Sequence, residues 1–209
     1  MPDILDPLAY SVTLQSYITD AQRLLHDATY KFYSLIELTD YVNKARRLTA
    51  AVTGCTRQLI PSVDVDADTA SIATTGLLSG RRVIGLLDVY HWYSASTRVP
   101  LAYYPYSQFA RTGTVMSNYS GTPAIWSQIN GTLYISSKPS VATTMDFDAA
   151  VEPLSLAELT DADNEIVSPF SECVKFYMCY LAKLKDGKRA EAEAYRVDFY
   201  RECSMIGSA

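Results

Sequence analysis

Residues 126–139, WSQINGTLYISSKP, contain Asn130-Gly131-Thr132, which has two incompatible readings. As an N-x-[ST] sequon it is a glycosylation acceptor and implies a secreted protein. As Asn-Gly between two arms of alternating apolar residues it is the signal for a tight β-hairpin, because both central residues of a type I′ turn need positive φ. The second reading puts strands at the middle of the chain. The rest of the sequence decides between them.

No secretory route is expected. The opening MPDILDPLAY carries Asp3 and Asp6 where a signal peptide carries basic residues, and its apolar run is too short. Residues 112–137 lack charge but are rich in Ser, Thr, Gly and Asn, whereas a membrane span needs about 20 predominantly apolar residues. Cys55, Cys173, Cys179 and Cys203 form no CxxC pair and no disulfide-dense pattern. They read as small buried hydrophobes of a reducing compartment. On these grounds Asn130, like the second sequon Asn118-Tyr119-Ser120, meets no glycosylation machinery, and the hairpin reading leads.

The chain has 209 residues, 48% hydrophobic and 20% charged, ordinary values for a folded soluble protein. Its net charge of −5 argues against a protein that coats nucleic acid, since neutralising phosphates needs surplus Lys and Arg. The compositional oddity is 16 tyrosines. Tyrosine joins a large apolar ring to a polar tip, which suits ordinary packing and also surfaces covered by a partner.

Periodicity divides the chain into helix, strand and helix again. In TLQSYITDAQRLLHDAT, Leu14, Tyr17, Ile18, Ala21, Leu24 and Leu25 fall on one helical stripe behind Thr13 as N-cap. In SLIELTDYVNKARRLTAAVTG, Ser34 and Glu37 form a capping box. Leu38, Tyr41, Val42, Ala45, Leu48 and Val52 make its expected buried stripe, and Gly54 ends it. Lys44, Arg46 and Arg47 read as a solvated face, with Asp40 and Lys44 as an i,i+4 pair. From Arg57 to about Thr160, VDVD, RRVIGLLDVYHWY and TMDFDAAV read as strands among closely spaced Gly and Pro. Met145, Phe147, Ala149 and Val151 share one face, and Asp146 and Asp148 share the other. YYPYSQFAR is expected to form a short helical turn.

Ser168-Pro169 is the expected start of a helix whose apolar residues (Val174, Tyr177, Met178, Leu181 and Leu184, widened by Cys173, Phe176, Cys179, Tyr180 and Ala182) run nearly all round. After a turn at Asp186-Gly187, a last helix buries Ala192, Tyr195, Phe199, Cys203 and Ile206. The expected fold is α+β. Residues 1–56 and 161–209 form one helical bundle, and residues 57–160 form a β-rich segment inserted between them and projecting from it.

Little points to catalysis. Asp64, Asp66 and Asp68 mimic half of a calcium loop, but Thr69 stands where the required glycine belongs and Thr75 where the closing glutamate belongs. The two histidines, His26 and His91, have no zinc-type spacing with the cysteines. Asp88 and His91 are three apart on a strand, so they point to opposite faces and make no triad. No phosphate-cradling GxxxxGK[ST] loop and no RNA-binding signature is present. No catalytic, metal or cofactor-binding residue is assigned.

The layout resembles that of tailed-bacteriophage head-to-tail adaptor proteins. The family's early helix carries an L-x-x-Y-[IV]-N-x-A-x-R pattern, here Leu38, Tyr41, Val42, Asn43, Ala45 and Arg47. GTPAIWSQINGTLYISSKPS is similar to its strand–turn–strand, with Gly121, Pro123, Trp126, Gly131 and Pro139 in place. The helices Val174–Leu184 and Ala190–Ile206 resemble its closing pair. The resemblance runs in order along nearly the whole chain, through loose motifs. It implies a structural virion protein, not an enzyme, made in the bacterial host cytoplasm and placed at the head–tail junction. Such adaptors assemble, commonly as twelve copies, beneath the portal ring, extend the DNA channel and seat the tail or nozzle protein. DNA is then passing cargo, no membrane is involved, and the acidic balance suits a channel through which DNA slides. Tyr103, Tyr104, Tyr106, Phe109, Tyr200, Met205 and Ile206 are the residues expected at partner interfaces. Two other readings stay open. One is a β-rich carbohydrate- or protein-binding module with Trp92, Trp126 and the YYPY cluster as a stacking platform. The other is a small cytoplasmic enzyme with a dispersed site.

Overall fold

The computed structural model describes residues 12–116, 120–166 and 168–207. The chain is mixed α+β. Along it, β1 (Val12–Thr13), α1 (Leu14–Leu25) and α2 (Leu35–Thr53) precede β2 (Arg57–Val65), β3 (Ser71–Ala73), β4 (Val83–Ser94), β5 (Thr97–Pro100) and β6 (Ala102–Tyr103). Next come α3 (Tyr106–Met116), β7 (Ser120–Gly121), β8 (Ile125–Ile129), β9 (Thr132–Ser136), β10 (Lys138–Pro139) and β11 (Thr143–Val151). Last are β12 (Ala162–Asp163), α4 (Ser171–Lys185) and α5 (Arg189–Gly207). The chain separates into two compact units: residues 57–152, and the flanking segments 1–56 with 153–209.

In the flanking unit the helix signals operate as read. Thr13 caps α1, accepting the Ser16 N–H at 3.2 Å while Ser16 Oγ accepts the Thr13 N–H at 2.7 Å. The Asp27 carboxylate accepts the N–H groups of Lys31, Phe32 and Tyr33, which fixes the loop into α2. Ser34 and Glu37 cap α2 reciprocally, and Gly54 ends it at φ 65. Leu14, Tyr17, Ile18, Leu38, Val42 and Ala45 pack on Val174, Met178 and Cys179 of α4 in one core.

Several expectations are corrected here. Arg46 does not lie on a solvated face: it is 1% exposed, with Nε 2.7 Å from Asp163 Oδ2 and Nη2 2.7 Å from Asp163 Oδ1. Val52 is not in the buried stripe; it is 43% exposed at the C-terminal end of α2. Leu184 is exposed as well, in the last turn of α4. Residues 153–160 lie with the helices rather than the β segment. Asn43 holds them by donating to Leu156 O and accepting from Leu156 N, both at 2.9 Å, and Leu156 enters the helical core. Helix α4 starts at Ser171 rather than after Ser168. Bonds from Glu172 N to Pro169 O and from Cys173 N to Phe170 O form a tight turn first, and Phe170 takes the N-cap position.

The unit 57–152 holds two four-stranded sheets, ordered β2-β11-β4-β5 and β3-β9-β8-β6, with one shared core. Phe147, Met145 and Ala149 of β11 meet Trp126, Leu133 and Ile135 of the other sheet in that core. The register explains why β4 does not alternate cleanly. Met145, Phe147, Ala149 and Val151 stand opposite His91, Val89, Leu86 and Val83, and the register shifts twice, between Asp148 and Ala149 and again between Ala150 and Val151. Each shift places one extra residue in β4, a bulge that keeps its apolar side chains on the buried face. Gln128 Oε1 reaches from β8 to accept the Leu86 N–H at 2.8 Å.

Asn130 and Gly131 have φ of 49 and 73, as a type I′ turn requires, and the arms pair from Ile129 opposite Thr132 to Ile125 opposite Ser136. The expected turn in YYPYSQFAR is a full helix, α3, packed on β8 with Tyr106 and Phe109 against Tyr134.

Candidate interaction surfaces

The helices of the flanking unit spend most of their apolar residues on the core, yet one apolar strip stays open. Val197, Tyr200 and Ser204 follow one another on α5 at spacings of three and four, so they share one side of the helix. Together with Val52, Thr53, Arg201 and Cys203 they line a groove of about 910 Å³ on α2 and α5. Val197 is 58% exposed and Met205, the residue after Ser204, is 52% exposed. Tyr200 is held by an edge contact to Phe199, with ring centroids 5.1 Å apart, so its ring is fixed while one side faces solvent. Arg201 is paired with Asp198 at 2.9 Å, which leaves the groove wall largely apolar.

Under this groove lie cysteines. Cys173, Phe199 and Cys203 form one buried cluster, with Tyr177 and Ile206 packed on it. Burial alone pushes Cys179 up to about 12.

The aromatic residues expected at an interface divide between the two units. Tyr103, Tyr104, Tyr106 and Phe109 belong to the β unit, and Tyr200, Met205 and Ile206 to the helical one. Tyr103 is exposed and tilts on Trp126, centroids 4.9 Å apart. Tyr104 is half-buried, its N–H donating to Trp126 O at 2.9 Å. Tyr106 is exposed, whereas Phe109 is 8% exposed, on the face of α3 turned against Tyr134. Ile206 is half-buried against the cysteine cluster. A cleft of about 540 Å³ in the β unit is lined by Tyr103, Trp126, Leu87, Gln128 and the Asn130-Gly131 turn.

The stacking platform expected for a glycan is not assembled. Trp126 is 2% exposed in the sandwich core, and the Trp92 indole N–H is taken by Asp146 at 2.8 Å. Asp88 and His91 do point to opposite faces. Asp88 pairs with Arg57 at 3.4 Å, while His91 is buried with Nε2 2.9 Å from Thr143 Oγ1, and desolvation lowers its pKa. Among the described residues no three His, Cys, Asp or Glu side chains converge on a point that would hold a metal ion. No described helix is long and apolar enough to cross a membrane.

Sequence reasoning missed Val52 and Val197 as surface residues. Val197 was legible in principle, because it lies off the Ala192–Tyr195–Phe199–Cys203 stripe of α5. No protein-family model and no curated protein matches the chain.

Proposed function

We propose that this chain is a head-to-tail adaptor of a tailed bacteriophage. In this reading it is a structural protein of the virion's head–tail junction, not an enzyme, and it works as a ring of copies beneath the portal. The ring lengthens the DNA channel and seats the tail or nozzle protein. The architecture proposed with it is a helical bundle drawn from both ends of the chain, with the β unit as an insertion.

The observation that carries this reading is the open apolar groove on α2 and α5. Helices α2 and α5 keep Val52, Val197, Tyr200 and Met205 in water. An apolar strip of this kind marks a surface that a partner covers, and aromatic residues are favoured there. The net charge of −5 supports the same reading, since a channel wall that repels phosphate lets DNA slide.

Electron microscopy of the protein mixed with its portal tests the proposal. A ring continuing the portal channel is expected, and Val197→Asp with Tyr200→Asp should abolish it while leaving the fold intact by circular dichroism. Absence of any association with the portal overturns the assignment.

A further inference from the structure

The helical unit carries a second apolar surface, at the opposite end of α2 from the groove. The three N–H groups that Asp27 accepts hold residues 31–33 in place ahead of the helix. Tyr33 turns inward and is 3% exposed in the core with Leu38. Its neighbours turn outward. Phe32 is 63% exposed, Leu35 is 39% exposed, and Ile36, in the first turn of α2, is 82% exposed. Together they make an apolar knob. Lys31 Nζ lies 5.5 Å from the centre of the Phe32 ring, and Lys31 forms no ion pair among the described residues. At the far end of α2, the groove rim carries the opposite charge in surplus. Asp198 and Glu202 share one cation, Arg201 Nη2, at 2.9 and 3.7 Å.

We propose that the groove on α2 and α5 receives the knob of residues 32–36 from a second copy of this chain, with Lys31 set against the Asp198 and Glu202 carboxylates, so that copies join head to tail. In the adaptor reading, on which this interface rests, the groove is the face that one copy offers to the next in the ring.

The two surfaces match in kind. A phenyl ring and a branched butyl chain suit a groove of about 910 Å³ walled by Val52, Val197 and Tyr200. An aromatic anchor seated in such a pocket is where binding energy concentrates. A copy cannot fill its own groove, because knob and groove lie at opposite ends of α2. The 19 residues of that helix, at about 1.5 Å each, hold them roughly 28 Å apart. Groove against groove would set the surplus carboxylate of one copy against that of the other. Knob against groove brings opposite charges together instead. A knob that differs from its socket makes a heterologous contact, in which every copy gives one and accepts one. Repeated, the contact yields a ring if the rotation closes and an open chain of copies if it does not.

Sedimentation velocity of the full-length protein at rising concentration, with no portal present, tests this interface. The wild type should give a ladder of dimers and larger species. Ile36→Asp alone, or Val197→Asp alone, should stay monomeric, each raising the dissociation constant at least about 30-fold, as loss of a hot-spot side chain does. Both positions are exposed, and an acid at position 36 sits in the first turn of α2, where the helix dipole favours it. Circular dichroism should therefore show both variants folded. The decisive sample is their equimolar mixture. The Val197→Asp copy keeps its knob and the Ile36→Asp copy keeps its groove, so the mixture should form one-to-one dimers and nothing larger. Phe32→Asp mixed with Tyr200→Asp should do the same, which guards against a single misfolded variant. A wild type that stays monomeric, mixtures that stay monomeric, or association that survives both Ile36→Asp and Phe32→Asp overturns the proposal. The portal is absent from every sample, so the adaptor reading stands or falls separately, on microscopy of the portal mixture.

Discussion

Each unit of the molecule buries one carboxylate on a strand, and the two are held in different ways. Asp163, in the helical unit, has a side chain with no exposure and faces Arg46, itself 1% exposed. It also accepts the Tyr17 hydroxyl at 2.9 Å and the N–H groups of Glu165 and Ile166 at 3.2 and 3.1 Å. Asp146, in the β unit, accepts from Ser62 N, Trp92 Nε1 and Arg98 Nη1, but the Arg98 side chain is 41% exposed. The first is a dry ion pair tying β12 to α1 and α2. The second does a local backbone task. Ser62 has a φ of 56, and the β2–β11 register shifts between Met145 and Phe147, so the Asp146 carboxylate caps a bulge. A buried charge acts as a long-range tie only where its partner is buried with it.

The largest effect is expected at Asp163. Asp163→Ala removes the buried counter-ion of the Arg46 guanidinium and leaves it only Glu165 Oε2 at 3.8 Å, a longer and partly exposed pair, for a loss of about 3–5 kcal/mol in urea-induced unfolding. The pair of substitutions Arg46→Met and Asp163→Leu should cost less than Asp163→Ala alone, because no unpaired charge stays inside. If the double variant is the worse of the two, the pair stabilises beyond its desolvation cost and the comparison fails. Acid titration gives the same test by another route. Burial pushes the Asp163 carboxyl up, but the hydrogen bonds and charge of Arg46, the Ile166 N–H and the Tyr17 hydroxyl outweigh it, and the net shift is downward. A depressed folded-state pKa means a stabilising contribution that is complete above the unfolded value of about 3.9. That contribution disappears as pH falls through the folded value. The wild type should therefore lose stability steeply below about pH 4, and the double variant should show a shallower acid limb.

Asp146 comes next. Arg98 contributes little through a solvent-screened pair, so what Asp146→Ala removes is the acceptor for Ser62 N and Trp92 Nε1. Ser62 is exposed and Trp92 half-buried, so water replaces part of the lost acceptor and the cost falls at the low end of about 1–3 kcal/mol. Thermal unfolding followed by tryptophan fluorescence should show a smaller loss than at Asp163, and Asp146→Asn, which keeps one acceptor oxygen, should recover part of it. A loss equal to that of Asp163→Ala would show that exposure of the partner does not set the difference.

The two carboxylates also mark what the sequence made legible. Caps and turns were readable because each is a local pattern with one physical cause: Thr13, Ser34 with Glu37, Gly54 and Asn130-Gly131 all do what their spacing implies. The faces of β11 were readable because Met145, Phe147, Ala149 and Val151 alternate along it into the core of the β unit. Arg46 was not, because a helical position next to Lys44 and Arg47 reads as solvated unless Asp163, more than half the chain away, is known to meet it. In the resemblance to phage adaptors the pattern ends on Arg47, yet Asn43 and Arg46 hold the returning segment. Strand β4 was readable as a strand but not by face, since its bulges exist only relative to β11. The candidate groove was half visible: Tyr200 and Met205 were identified, while Val52 was placed inside because the stripe of α2 was extended to its last turn, beyond the reach of the core.

The smallest effect sharpens the same contrast from the polar side. Among the described buried side-chain atoms with no hydrogen bond, Gln22 Nε2 lies in the helical unit, and Ser127 Oγ, Ser136 Oγ, His91 Nδ1 and Asp148 Oδ1 lie in the β unit. Ser127 and Ser136 occupy the sheet face shared with Tyr134, on which α3 packs through Tyr106 and Phe109. A hydroxyl buried there without a partner has lost its water and gained nothing in exchange. Ser127→Ala removes that cost and only one small atom of packing, so it should be neutral or stabilise by up to about 1 kcal/mol. Ser136→Ala should behave alike, and the two should combine with little interaction if each hydroxyl is separately unpaired. A loss above about 1 kcal/mol for either one would mean that the hydroxyl has a partner under α3, and the β unit would then satisfy its interior as fully as the helical unit satisfies Asp163.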